Sequence, residues 1–537
     1  MSTVDTVDAT PSSYLYYRHT AAVRIMHWIN VIALTVLFMS GLNIFSAHPA
    51  LYWGHSSYSG RPPVLEVGAM EDADNVTGVT RILGHDFDTT GLFGASRDAS
   101  GEIVAATFPS WLTIPANRWL SLARQWHFLF AWIFVVNGLC YVLYAVWSRH
   151  LARDLAPTRA DWRSIGRSII DHLRFHHPTG EASKHYNVLQ KLTYLIVIFV
   201  LLPLAILMGF DVAGARFDHS GMGRPRRRAA VGADDSFHRC VAAGSVRVHP
   251  RLRGRHYRAV EQSSFDDHRT LSCRRRGQAM NPVESSARRR FLIGALSGAG
   301  ALVLSGCDRL ANTAWFQRAL GAGESLTHVA QRWVIPRRAM AQEFSDADLS
   351  PEFRSNGTAV PRNAQYQALA MGGFAAYRLE VGGLVERPAS LSLADLRALP
   401  SRTQITRHDC VEGWSAIGKW KGAKLSALLD IVQPKATARY VVFHCADPME
   451  NDGTSPYYES IDFEDAYHPQ TILAYELNDK TLPVPNGAPL RLRVERQLGY
   501  KHAKYLMRIE LVESFASIAG GKGGYWEDQG YQWYAGI

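Results

Sequence analysis

Cysteine is scarce in this chain of 537 residues: there are 6, at positions 140, 240, 273, 307, 410 and 445, and none forms a CxxC pair. That excludes a disulfide-stapled scaffold and a zinc module built on paired cysteines, so each thiol has to be judged by its own surroundings. Charged residues make up only 20% against 47% hydrophobic ones, which excludes a disordered chain. Lysine is missing between residues 209 and 279, where 15 Arg and 7 acids carry +8 of the formal net charge of +10. The rest of the chain is close to neutral, so the basic balance is local and not a chain-wide signal for nucleic acid.

Three stretches are apolar for long enough to cross a bilayer at roughly 20 residues per span: about 25–45, 122–147 and 188–208. The connection 148–187 is rich in Arg, at 149, 153, 159, 163, 167 and 174, whereas 46–117 has more acids than bases. The positive-inside bias then puts the N-terminus in the cytoplasm, the first connection outside and the exit of the third span outside.

His27 lies in Arg24-Ile-Met-His27-Trp28 at the start of the first span, and His127 follows Arg124-Gln-Trp126 near the start of the second. A histidine at membrane depth is expensive unless it binds something; an interfacial histidine beside a Trp belt is the plain alternative. The Arg-x-x-His-Trp motif and the span that follows resemble the bacterial cytochrome b561 and hydrogenase-type cytochrome b family. That resemblance implies an all-α transmembrane helical bundle with two b haems. Their iron ligands would be His27, His127 and two histidines of a fourth helix spaced 14 apart, and the haems would exchange electrons with quinone.

The fourth span is missing, and in its place stands the Arg-rich segment 209–279. Shifted by one base, permitted codons for 246–258 give an apolar run with a histidine, and those for 234–241 give a second histidine 14 positions earlier. Met280-Asn281 must be encoded ATG-AAY, which holds a TGA stop in the shifted frame. The segment therefore reads as the out-of-frame remnant of a fourth helix, with two adjacent genes fused by a frameshift. A genuine basic insert binding nucleic acid or lipid is the alternative. The bundle would then be incomplete, with three spans and a defective haem site.

Residues 280–307 run from Met280 through Arg288-Arg289-Arg290-Phe291-Leu292 and a short apolar core to Leu304-Ser-Gly-Cys307. They resemble a twin-arginine export signal with a lipobox, the apolar core being too short for a comfortable span. The expected location is the inner membrane, with residues 308–537 on the periplasmic side.

After a loosely ordered approach with one amphipathic stretch up to 342, short strand-like and helix-like pieces alternate from 377 onward, which indicates an α+β domain. Arg407-His-Asp-Cys410-Val-Glu-Gly-Trp414-Ser415 sets a lone cysteine between charges and a Trp at a strand end. Such a thiolate is a soft metal ligand or a nucleophile; on its own a lone cysteine is more often inert packing.

Four ordered motifs change that balance: Cys410-Val-Glu-Gly-Trp-Ser, Tyr457-Tyr-Glu-Ser-Ile-Asp with Ala466-Tyr-His-Pro469, Asn486-Gly-Ala-Pro-Leu-Arg491, and Gly499-Tyr-Lys-His-Ala-Lys504. From about 355 to 537 the chain resembles the sulfite oxidase superfamily, in particular its methionine-sulfoxide-reductase catalytic subunits. The resemblance implies an α+β molybdopterin-binding domain, hence a multidomain protein. It implies Cys410 as the molybdenum thiolate and Tyr457 as a residue polarising the oxo group or substrate. Asn486, Arg491, His502, Ala503 and Lys504 would hold the pterin and its phosphate, with Asn356 and Cys445 lining the pocket. A phosphate wants a guanidinium fork, an ammonium and backbone N–H groups, so the residue types suit the task. No cytochrome b5-type or immunoglobulin-like domain is recognisable, so electrons would pass through the b-type cytochrome.

The expected function is oxygen-atom transfer on a small-molecule or protein substrate of sulfite or sulfoxide type, using Mo-molybdopterin and haem b, with no nucleic-acid partner. A membrane-anchored binding protein that keeps only the fold is the alternative.

Overall fold

The computed structural model describes residues 20–72, 75–97, 102–174, 186–212, 309–449 and 455–536. The Arg-rich segment 209–279, beyond residue 212, and the signal-like stretch 280–307 lie outside the described residues, and so do their proposed histidines, Arg pair and lipobox cysteine.

Among the described residues, three helices are long and apolar enough to span a membrane: α1 (Ala21–Phe45), α2 (Leu120–Trp147) and the run Val188–Leu207. Helix α3 (Arg159–Leu173) is amphipathic and starts in a capping box of Thr158 and Asp161. The third run begins as α4 (Val188–Ile196), passes one π-helical turn, and continues as α5 (Leu202–Val212). Helices α1 and α2 pack against each other along most of their length. Asn137 on α2 ties them by donating to the Met26 carbonyl (2.8 Å) and to Asn30 (2.7 Å). In a low-dielectric setting such a bond fixes which faces meet.

The connection between the first two spans is a folded unit. It holds a four-stranded antiparallel sheet of β1 (Ala50–Leu51), β2 (Leu65–Asp72), β3 (Asn75–Ile82) and β4 (His85–Asp88), beside the ribbon of β5 (Ala95–Arg97) and β6 (Ile103–Ala105). The sequence pattern gave no hint of it, because few positions are buried and the alternation that betrays a half-buried strand is weak.

The stretch read as a loose approach contains a 21-residue helix, α6 (Ala314–Val334), that crosses α2. A Cβ on Gly323 would meet Leu129 backbone at 3.0 Å, so the absence of a side chain lets the two helices touch. Phe316, Leu320, Trp126 and Leu122 form the cluster between them.

The C-terminal part is built on two five-stranded sheets. The first has the order β14 (Lys480–Thr481), β13 (Ile472–Leu477), β10 (Ser415–Lys424), β9 (Ser401–Asp409), with β15 (Arg491–Arg493) also paired to β13. The second has the order β12 (Pro456–Asp462), β11 (Tyr440–Pro448), β16 (Leu506–Val512), β7 (Arg378–Gly383), β8 (Ala389–Ser392). One large apolar core joins them. The helix Leu425–Val432 feeds it Leu425, Leu428, Leu429 and Val432, the i, i+3, i+4, i+7 stripe of an amphipathic helix, each fully buried and worth about 1.5–3 kcal/mol. The fold is thus a membrane helical part with three spans and an α+β domain.

Candidate functional site

Strands β9 and β10 form an antiparallel hairpin whose connection carries Cys410. The turn is closed from both ends: Cys410 N–H donates to the Trp414 carbonyl (2.9 Å) and Gly413 N–H to the Cys410 carbonyl (2.9 Å). Gly413 sits at φ +97°, a conformation that side chains rarely adopt. Glu412 accepts from the Trp414 indole at 3.0 Å, and its carboxylate lies 3.9 Å from the Cys410 sulfur. Burial, and then the Glu412 charge, push the Cys410 thiol up to about 12. A soft metal ion taking that proton's place would be favoured by the same surroundings that make the free thiol unreactive.

Beside this turn lies a cradle made by the short helical turn Val484–Asn486, β15 and residues 499–505. Arg491 is fully buried, donates to the carbonyls of Asn486 (2.9 Å) and His502 (3.4 Å), and stacks on Trp420 at 5.0 Å. Burial and the charge of Arg493 press its guanidinium down to about 9. Arg493 stacks on the same Trp420 at 4.5 Å, but two bonds to Glu495 (2.9 and 2.6 Å) neutralise it. The third bond of Arg493 goes to Nδ1 of His408 at 2.9 Å.

That bond fixes a tautomer. Burial, then the nearby His502 and Arg493, hold His408 neutral, so with Nδ1 accepting, its proton is on Nε2. His502 is also neutral, and it donates from Nε2 to the Gln497 carbonyl (3.0 Å), leaving Nδ1 as a bare acceptor. The two rings stand edge to face at 5.1 Å. Gly499 makes room: a Cβ there would stand 2.4 Å from Nε2 of His408.

Lys504 closes the cradle, donating to the carbonyls of Asn356 (2.6 Å), Thr358 (2.5 Å) and Pro485 (3.0 Å). Burial and Arg491 bring its ammonium down to about 7, and burial raises Asp447 nearby to about 6. Ala503 contributes its backbone, its carbonyl accepting from Leu492 N–H at 2.8 Å.

Among the described residues, the buried polar atoms without a partner here include Nε of Arg491, Nε2 of His408, Nδ1 of His502, Nε1 of Trp420, and Oδ1 of Asn356 and Asp447. Native proteins rarely leave such atoms unpaired. A donor and an acceptor of opposite sense, a guanidinium and an amide oxygen at one rim suit a polar heterocycle with an anionic arm, and Cys410 at the other side suits a soft metal. The donor set therefore fits a molybdopterin.

Cys445 is buried on β11 in the same apolar cluster as Ala503 and Tyr457, within reach of the Lys504 charge, and burial raises its thiol well above the ordinary range. The Tyr457 hydroxyl is committed to the Tyr500 carbonyl. His408, Trp420 and Arg493 were missed; the first lies in the quoted cysteine motif, but nothing in the sequence marks a strand residue as facing the cradle.

In the membrane part, His127 faces α1, with Nδ1 3.0 Å from the Ser40 hydroxyl and its ring against Gly41. His27 is exposed near the start of α1, its ring edge to face with Trp28 at 5.9 Å. Ser40 and His27 are about 20 Å apart along α1 at 1.5 Å per residue, so the two histidines stand at opposite levels of the helix pair.

Residues 18–230 match the family described as prokaryotic cytochrome b561, and residues 368–517 match the oxidoreductase molybdopterin binding domain. The chain is 37% identical over 256 residues to a putative protein-methionine-sulfoxide reductase subunit, YedZ1, of Azospira oryzae, covering 47% of this chain and 89% of that protein. It is 40% identical over 151 residues to the protein-methionine-sulfoxide reductase catalytic subunit MsrP of Xanthomonas axonopodis pv. citri, and 37% over 145 residues to MsrP of Ralstonia nicotianae. These two matches cover 27% and 26% of this chain, and they span about half of each catalytic subunit, 47% and 44%.

Proposed function

The chain belongs to the prokaryotic cytochrome b561 family and is extended by an oxidoreductase molybdopterin-binding domain; from that premise we propose that it reduces a sulfoxide, free or in a protein, with electrons drawn from quinol through b haems. The balance is one sulfoxide, two electrons and two protons giving one sulfide and one water. Cys410 would anchor the metal, and Asn486, Arg491, His502, Ala503 and Lys504, helped by His408 and Asn356, would hold the pterin. Bound there, the molybdenum group supplies two-electron oxygen-atom transfer. The residues orient it, exclude water and hold the anionic arm.

One observation carries the choice of sulfoxide over sulfite. Of the two guanidinium groups near Cys410, Arg407 is paired with Asp409 at 2.7 Å and donates to the His55 carbonyl at 3.1 Å, and Arg354 is laid over the Trp414 ring and bonded to the Tyr58 hydroxyl. The rings around the turn, Trp414 and Tyr58, are 5.8 Å apart, and they favour a neutral, polarisable group.

The catalytic domain would lie on the periplasmic side of the inner membrane, delivered by the twin-arginine-like stretch 280–307. Sequencing the nucleotides between the codons for Leu207 and Met280 tests the slipped frame; an uninterrupted frame rejects it. The function is tested on the purified full chain, wild type against Cys410→Ser. Expected are molybdenum and sulfide formation with a small dye reductant in the wild type and neither in the variant, and quinol-dependent turnover only once the frame of 209–279 is restored. Equal molybdenum in both overturns the assignment, and molybdenum-free wild type supports a binding protein that keeps only the fold.

A further inference from the structure

Helix α3 is amphipathic the wrong way round for a soluble surface. At about 100° per residue its partly covered positions, Asp161, Ile165, Ser168 and Asp171, fall on one side, and Lys191 of α4 bonds to Asp161 at 2.9 Å there. The opposite side is open. It carries Trp162, Ile169, Ile170 and Leu173, between 43% and 74% exposed, and beside them a stripe of Arg159, Arg163, Arg167 and Arg174, all exposed. A helix on the surface of a globular domain turns its apolar stripe inward and its polar groups outward. Here two acids lie on the covered side, and four large apolar groups face out.

The spans on either side fix the level of this face. Helix α3 lies between α2, which ends in the exposed Trp147, and the third span, which starts at Val188. A Trp at a span end belongs to the belt where hydrocarbon meets headgroups. The Asp161–Lys191 pair ties the first turn of α3 to the first turn of the third span, so α3 is held near that belt. The neighbouring acids leave the arginine stripe positive. Asp161 is spent on Lys191 and on the Thr158 cap, Asp154 on His150 at 2.6 Å, and Asp171 reaches only its edge, 3.9 Å from Arg167. Arg159, Arg163 and Arg167 follow one another at about 6 Å along the helix axis.

We propose that α3 lies in the plane of the membrane on the side of the 148–187 connection and binds anionic phospholipid headgroups. Trp162, Ile169, Ile170 and Leu173 enter the acyl boundary, and the arginine stripe takes the phosphates. Two observations choose this occupant: the charge of the stripe is complementary to an anionic leaflet, and the apolar face continues the lipid-facing surface of the spans to which α3 is tied. A guanidinium fork matches a phosphate, and each arginine close to an anionic surface strengthens binding roughly fivefold. At about 22 Å, with a charged flank, α3 suits the interface and is too short and too polar to cross. Headgroups held by α3 also steady the start of the third span, through Asp161 and Lys191. Neither Cys410 nor a haem histidine takes part, so the surface stands whatever the reaction is.

The test places the full chain in lipid nanodiscs, either wholly zwitterionic or with about 30% anionic phospholipid, and follows amide hydrogen exchange over 159–173. Exchange is expected to be roughly fivefold or more slower with the anionic lipid, and the difference to disappear in Arg159→Gln/Arg163→Gln/Arg167→Gln. Trp162→Gln/Ile169→Gln should speed exchange in both kinds of disc, because the apolar face does not depend on lipid charge. Inorganic phosphate added to zwitterionic discs should change nothing. Equal exchange of the wild type in the two lipids overturns the proposal without reference to any variant. So does phosphate that slows exchange as much as anionic lipid, which marks a soluble anion, and so does protection that appears only with two chains per disc, which marks a second copy.

Discussion

The Ser40 hydroxyl lies 3.0 Å from Nδ1 of His127 and donates its own proton to the Val36 carbonyl at 2.7 Å. Its oxygen therefore accepts from Nδ1–H, and the Nε2 lone pair of His127 is left bare, the state an iron ligand needs. Ser40→Ala removes one of the two groups that orient the ring, the Leu37 backbone being the other, while keeping the helix. We expect roughly 10–100-fold weaker retention of the haem at His127 and a shifted midpoint potential, read by redox titration of the haem absorption bands. Ser46→Ala, whose hydroxyl only returns to the Leu42 carbonyl, is the control. An unchanged potential and haem content in Ser40→Ala would remove Ser40 from the site.

Arg491 is wedged against Trp420 with one guanidinium nitrogen unmatched. Lysine can supply charge there but neither the planar stack nor the fork. Arg491→Lys should fold, with a melting point within a few degrees of wild type, and should retain less than about a tenth of the pterin. Elemental analysis and pterin fluorescence after release decide it, and full occupancy counts against the cradle.

Lys501 sits fully buried between two carboxylates, bonded to Glu459 and to Glu527. One positive charge cannot serve two buried anions. Burial, and then the Glu527 charge, raise Glu459 well above the usual carboxylate range, which favours its protonated form. Lys501→Met should cost about 3–5 kcal/mol, whereas Glu459→Gln should be nearly neutral or stabilising. The sign with pH follows from the raised folded value: the favourable contribution of Glu459 is complete below about 4.5 and is lost as pH rises. Glu459→Gln should therefore gain on wild type between pH 5 and pH 8 in denaturant titrations. A gap that closes as pH rises contradicts this.

Lys504 has a folded value of about 7, below the ordinary lysine range, so its ammonium is disfavoured by folding and stability rises with pH between about 7 and 10.5. An anion binds the ammonium form only. Sulfate, whose charge does not change over this range, should stabilise the metal-free chain more at pH 6 than at pH 9, and Lys504→Met should erase the difference. Thermal shifts with and without sulfate at the two pH values read it; equal shifts in the wild type place the anion elsewhere.

The spans and the α+β character of the C-terminal part were legible in the sequence, because each depends on local hydrophobic patterning. The cradle motifs were legible as residue types in order: Arg491, His502 and Lys504 lie together, and His408, two residues before Cys410, stands against His502. What patterning could not carry was direction. Which groups Cys445 meets depends on what packs against its face of the β12-β11-β16 sheet, not on its neighbours in sequence. The Tyr457 hydroxyl finds its acceptor 43 residues away in sequence. His408, Trp420 and Arg493 come from three strands whose registers alone make them neighbours.

The amino-acid order by itself determined what kinds of segment this protein has and which chemical groups it can offer, since burial preference and turn chemistry act over a few residues. Only the tertiary structure decided that the folded connection after α1 reaches the Cys410 turn and that the last residues lie across the start of α2. Such contacts join positions hundreds of residues apart, and no local periodicity encodes a pairing that is fixed by two surfaces meeting.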